Sequence, residues 1–122
     1  MRRALAALAL VVCSVALTGC GDDDTTGDGD GKELPTKTIA ITIEGDSITP
    51  NGDRVEVEVG QPIELVVTAD VEGEIHVHSD PEQELEYGAG DTTLKAFTID
   101  KPGVVEVESH ALEKTIVQLE VE

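Results

Sequence analysis

Beyond Lys37, hydrophobic residues return at every second position through most of the chain. Lys37–Glu44 (KTIAITIE) sets Ile39, Ile41 and Ile43 on one side and polar residues on the other. Arg54–Val59 alternates valine with Arg54, Glu56 and Glu58, and Val104–Ser109 and Thr115–Val121 carry the same kind of pattern. A period of two belongs to a strand, whose successive side chains point to opposite faces. Ile63–Ala69 (IELVVTA) is more continuously apolar and predicts a more deeply buried strand. Ile75–His78 predicts a short strand and Leu85–Tyr87 an edge strand. Thr92–Ile99 predicts a further strand, with Phe97 and Ile99 in phase. The separating segments are rich in turn residues: Gly45–Asp53, Gly60-Gln61-Pro62, Asp70–Glu74, Asp80–Glu84, Gly88–Gly90 and Asp100-Lys101-Pro102-Gly103. No segment keeps a helical period. Short strands broken by turns predict an all-β antiparallel sandwich or barrel over residues 37–122. At about 86 residues, that unit can bury a single core.

Residues 1–36 follow a different pattern. Met1-Arg2-Arg3 is basic, and residues 4–17 are apolar apart from Ser14. The run falls short of the roughly 20 residues a membrane-spanning helix needs, so it predicts a secretory signal. It ends in Leu17-Thr18-Gly19-Cys20, which resembles the bacterial lipobox, Leu-x-Gly/Ala-Cys. That resemblance implies removal of residues 1–19 and lipid on Cys20. The protein would then be anchored to the cell membrane on its extracytoplasmic face, with more than one acyl chain for a stable hold. Residues 21–36 (GDDDTTGDGDGKELPT) have almost no apolar content and read as a flexible acidic linker. Their Asp-Gly repeats lack the flanking helices and the bidentate glutamate of a calcium loop.

Charge narrows the list of partners. Eight basic residues stand against 26 acidic ones, for a net charge of -18. Without clustered Lys and Arg, nucleic-acid binding is excluded, and so is charge-driven adsorption to an anionic membrane. Glu56, Glu58, Glu106 and Glu108 alternate with valine, as a solvated strand face does, and such rows discourage edge-to-edge pairing. Tyr87 and Phe97 are the only aromatic residues besides histidine, too few for a stacking platform. Cys13 falls in the leader, Cys20 at the lipid site, and Met1 is the sole methionine. Residues 37–122 therefore contain no disulfide, thiolate or thioether.

The order of these segments carries a resemblance. A Gly60-Gln61-Pro62 turn precedes an apolar strand, and an Asp70 turn precedes a strand bearing His76 and His78. A Pro102-Gly103 turn precedes Val-x-Val-x-Ser109-His110, and Ile-Val-Gln-Leu-Glu-Val closes the chain. Together, over about residues 37–122, they resemble a cupredoxin, in particular the small EfeO-type cupredoxin-like domains of secreted bacterial proteins. The resemblance implies a Greek-key β-sandwich of seven or eight strands. It also implies a metal at one end of the sandwich, held by a mid-chain histidine (here His76 or His78) and by a cysteine, histidine and usually a methionine before the last strand. Ser109 stands where that cysteine would be. His110 follows it directly, earlier than the family spacing, and no methionine follows. A blue copper centre needs a thiolate, so this domain cannot build one.

His76, His78 and His110 remain. Residues i and i+2 of a strand share a face, and a third imidazole from a neighbouring strand would complete a three-nitrogen site for copper or, second, zinc. Glu108 and Asp80 are the carboxylates nearest in sequence for an open fourth position. Against this, Ile75 and Val77 should face the core, which sends His76 and His78 outward, and His110 is in phase with Glu106 and Glu108. Two readings stand: an unliganded polar pair, or a mononuclear site formed where two outward faces meet. No catalytic residues are expected. Ser79 and Ser109 each adjoin a histidine, but sequence neighbours on a strand point apart, which does not suit a nucleophile and its base. The function expected is a lipid-anchored domain that holds or delivers a metal ion outside the cytoplasm. The alternative is a metal-free sandwich that presents an edge or loop to another envelope protein.

Overall fold

The computed structural model describes residues 33–122. The expected leader, the lipid site Cys20 and the linker as far as Lys32 lie outside the described residues. Within them the chain forms nine strands and no helix: β1 (Lys37–Glu44), β2 (Ser47–Thr49), β3 (Asp53–Val57), β4 (Ile63–Ala69), β5 (Gly73–Val77), β6 (Gln83–Tyr87), β7 (Gly90–Thr93), β8 (Gly103–Ser109) and β9 (Lys114–Val121). They make two sheets, one of four strands in the order β2-β1-β4-β7 and one of five in the order β3-β9-β8-β5-β6. The isoleucines of β1 and the alternate residues Ile63, Leu65 and Val67 of β4 meet Ile75, Val77, Val107 and Leu119 from the larger sheet in one buried core. Each such side chain contributes roughly 1.5–3 kcal/mol by leaving water.

Three departures from the sequence pattern have physical causes. The strand the pattern does not predict is β2, Ser47–Thr49, inside a stretch that reads as turn. Gly45 adopts φ 55°, so the loop closes in two residues and Ile48 can pair with Ile43. The sandwich is also not wholly antiparallel: β1 runs parallel to β4, and β3 parallel to β9. The chain changes sheet after β2, β3, β4, β6 and β7, so strands come to lie beside earlier ones without a hairpin between them. Finally, Thr92–Ile99 is not one strand. The ladder ends at Thr93, and Phe97 pairs alone with Ile63 through backbone bonds of 2.8 and 3.0 Å. Leu94 and Phe97 are both buried but lie three residues apart, a spacing that one strand face cannot serve.

The five-stranded sheet is irregular near its β8–β9 turn. Val107 pairs with Val117, but Glu108 pairs with Thr115, leaving Ile116 as an extra residue. Ile116 and Val117 are both fully buried as a result. Bulges of this kind re-aim the strand beyond them. Here that is the segment leading back to His110, and the turn closes with Glu113 in a left-handed conformation at φ 52°.

Candidate metal centre

β5 and β6 form a hairpin in which every pair is equidistant from Asp80. Val77 lies across from Gln83, His76 from Glu84, Glu74 from Glu86 and Gly73 from Tyr87. On its other side β5 pairs with β8, placing His76 beside Glu108 and Ile75 beside Ser109. Ile75, Val77 and Ser109 are fully buried and line the inner face. Glu74, His76 and His78 therefore project from the outer, solvent face of the five-stranded sheet, as the alternation requires. His78 continues the ladder one residue past β5, its backbone N–H donating to the Glu106 carbonyl at 2.9 Å.

The three histidines come together on that face. The His110 ring, carried by the β8–β9 turn, lies over the His76 ring with centroids 4.1 Å apart and planes at 38°. The His78 ring stands edge-on to His76, centroids 5.6 Å apart. One nitrogen from each of the three lies within 4.8 Å of the other two. Points so spaced fit within about 2.8 Å of a common centre, against the 2.0–2.1 Å of a metal–imidazole bond, so side-chain movements of at most about 0.8 Å would close the site.

Carboxylates surround the imidazoles and fix their orientation. His76 Nε2 is 2.8 Å from Glu84 Oε1, and His78 Nε2 is 2.9 Å from Glu108 Oε2. An ionised carboxylate only accepts, so both Nε2 atoms act as donors. On the opposite edge of the rings, one oxygen of Glu82, Oε1, lies 3.5 Å from His76 Nδ1 and 2.9 Å from His78 Nδ1. The hydrogen bond to Glu108 raises the His78 pKa above 6.5. Partial burial opposes it, and the charges of Glu108, Glu82 and Glu106 add to it. His76 is 9% exposed although it stands on the solvent face, and its Nδ1 is buried without a hydrogen-bond partner. An imidazole nitrogen left in that state costs about 1–3 kcal/mol.

No protein-family model matches the chain, and no curated relative matches it. Solved structures do. Auracyanin A, a blue copper protein from Chloroflexus aurantiacus, is 13% identical, with a TM-score of 0.55 over 72% of this chain and 100% of that one. A purple cupredoxin from Nitrosopumilus maritimus is 15% identical, with a TM-score of 0.50 over 70% of this chain and 99% of that one. A multi-copper oxidase from Pediococcus acidilactici is 14% identical, with a TM-score of 0.54 over 75% of this chain but 27% of the oxidase. The fold is cupredoxin-like. At these identities the likeness is one of fold alone.

In this cupredoxin-like domain the residues present fit a divalent transition-metal ion. The donor set is imidazole nitrogen and carboxylate oxygen, with neither Cys nor Met among the described residues. The location differs from what the resemblance implied. The imidazoles are on the outside of one sheet, while Ser109, at the position of the family's cysteine, points inward beside Tyr87. Its hydroxyl is buried against the Tyr87 phenol, close enough to favour the ionised phenol but outside good hydrogen-bond geometry. The other serine next to a histidine, Ser79, donates its hydroxyl to the Pro81 carbonyl at 2.7 Å.

Of the two carboxylates expected near a fourth position, Glu108 is engaged by His78 Nε2, and Asp80 is paired with Lys101, which lowers its pKa. Sequence reasoning missed Glu82, Glu84 and Glu74. The signal was available: a hairpin centred on Asp80 places Glu82 opposite His78 and Glu84 opposite His76.

Proposed function

We propose that this domain binds a divalent transition-metal ion, copper first and zinc second, through His76, His78 and His110. Lipid on Cys20 would hold it at the extracytoplasmic face of a bacterial cell membrane, where it keeps the ion or hands it to an envelope protein. The observation that carries the metal reading is the buried, partnerless Nδ1 of His76 in a group of three mutually close imidazoles. A nitrogen that water cannot reach must find its partner among neighbouring side chains or in an ion placed between them. The acidic sheet face supports it further by drawing cations toward the site. The anchoring reading rests on the basic start, the apolar run and the Leu17–Cys20 motif. The resemblance to EfeO-type secreted domains accords with the same compartment. Binding is proposed rather than catalysis, because neither Ser79 nor Ser109 is presented to an imidazole.

The test is calorimetric titration with copper and with zinc of the full chain in detergent, its thiols removed by Cys13→Ser and Cys20→Ser. One-to-one binding that is tight in this background and lost in His110→Ala is the expected result. Binding no stronger than the general attraction of an acidic surface would overturn the proposal and leave the sandwich as a metal-free interaction module.

A further inference from the structure

We infer that Glu82 supplies the fourth ligand of this site, and that its carboxylate makes the site selective for the divalent oxidation state of copper. The inference rests on the metal-binding reading above and goes beyond it in naming a donor and a selectivity. His76 and His78 each have two ring nitrogens. Their Nε2 atoms are already committed to Glu84 and Glu108, at 2.8 and 2.9 Å. The Nδ1 atoms lie on the opposite edge of the rings, and both face one atom, Glu82 Oε1, at 3.5 and 2.9 Å, a spacing that an ion ligated by all three would bridge. The more buried of the two, His76 Nδ1, has no hydrogen-bond partner.

Glu82 is placed by the hairpin rather than by chance. It lies two residues past Asp80, as His78 lies two residues before it, so the ladder that pairs His76 with Glu84 delivers Glu82 to the next position outward. The loop between is tied down by the Ser79 hydroxyl on the Pro81 carbonyl and by the ion pair of Asp80 with Lys101. Glu84 and Glu108 then act behind the imidazoles, orienting them and raising their basicity. A set of three imidazole nitrogens and one carboxylate oxygen suits copper(II), zinc and nickel. Copper(I) prefers the soft sulfur donors that this domain lacks.

The test compares Glu82→Gln with Glu86→Gln in the same cysteine-free full chain. Glu86 lies on the same strand face and pairs with Glu74, so its substitution removes an equal charge without touching the imidazoles. Copper(II) affinity is measured by competition with a chelator, ligation by electron paramagnetic resonance, and copper(I) affinity with a copper(I)-specific chelator under reducing conditions. The expected result is a loss of about tenfold or more in copper(II) affinity for Glu82→Gln, with an altered resonance spectrum. Glu86→Gln should shift affinity less than about threefold, and copper(I) should bind more weakly than copper(II). If His110→Ala abolishes binding while Glu82→Gln behaves like Glu86→Gln, the three-imidazole site stands and Glu82 is not its ligand. Copper(I) binding as tight as copper(II) would overturn the selectivity. No tight binding by the unsubstituted protein would overturn both readings together.

Discussion

His76 and Glu84 are direct cross-strand partners on β5 and β6, and they meet through His76 Nε2 and Glu84 Oε1 at 2.8 Å. The pair fixes the imidazole tautomer: Nε2 carries the proton and Nδ1 keeps its lone pair, buried on the edge that faces Glu82. Replacing Glu84 by Ala removes the acceptor and lets the proton move to Nδ1, where it competes with an ion. Metal affinity should fall about tenfold, while Glu84→Gln, which keeps a carbonyl acceptor, should retain most of it. Competition titration of the two variants checks this. Equal losses in both would show that charge, not the hydrogen bond, is what Glu84 provides.

His78 should titrate above 6.5 in the metal-free protein, because Glu108 accepts from its Nε2 and the charges of Glu82 and Glu106 favour the imidazolium. A group whose folded pKa is raised adds stability that is fully present below its unfolded value, near 6.5, and is lost as pH rises through the folded value. Thermal stability of the metal-free protein should therefore decline slightly from pH 6 to pH 8. Removing the hydrogen-bonded carboxylate by Glu108→Gln should move the His78 titration back toward 6.5 and flatten that slope. Proton NMR of the His78 imidazole reads the change. A His78 titration unaffected by the substitution would contradict the assignment.

Gly73 opens the strand that carries His76, and a methyl group added there would collide with the phenol of its cross-strand partner Tyr87. The Tyr87 phenol is itself buried, which together with the charge of Asp70 raises its pKa against the opposing contact with Ser109. It therefore cannot swing out without exposing its ring. Gly73→Ala should destabilise the domain by about 1–3 kcal/mol, the usual range for overpacking a filled site. Tyr87→Phe should recover only part of that loss, since the ring carbon bearing the hydroxyl is also in the way. Chemical denaturation of the single and double variants measures the coupling.

These residues show what the pattern of the chain discloses and what it hides. Alternation alone separates Ile75 and Val77 from His76 and His78, and the structure keeps that separation. It could not show that β5 lies beside β8, because that neighbour comes from far along the chain and is set by the way strands switch sheets. Convergence of His110 with the other two depends on that adjacency and on the extra residue at Ile116, and a bulge leaves little trace in a hydrophobic pattern. The glutamates around the imidazoles were hidden for a different reason. In a chain with 26 acidic residues, Glu82 and Glu84 look like any solvated face until the centre of the hairpin is fixed at Asp80. The segment Leu94–Ile99 misled because its apolar residues satisfy a strand only if Leu94 is ignored.

Ser109 offers the sharpest contrast between resemblance and geometry. It stands where the resemblance to cupredoxins puts a cysteine, and on that resemblance alone Ser109→Cys would restore a thiolate centre. In this fold the side chain is fully buried on the inner face, level with Ile75 and beside Tyr87, while the imidazoles stand on the outer face of the same sheet. A thiol there is separated from the histidines by the thickness of the sheet. In a Cys13→Ser, Cys20→Ser background, the Ser109→Cys protein should bind copper(II) with the spectrum of the unsubstituted site and without the intense colour of a copper–thiolate bond. The thiol should resist modification until the protein is unfolded, as buried cysteines do. Stability should change by less than about 1 kcal/mol in either direction, because the hydroxyl touches only the Tyr87 phenol, outside good hydrogen-bond geometry, and a thiol is close to it in size. An intense thiolate band on adding copper(II) would mean that the end of β8 can turn its inner face toward the histidines, and the outer-face site would have to be abandoned.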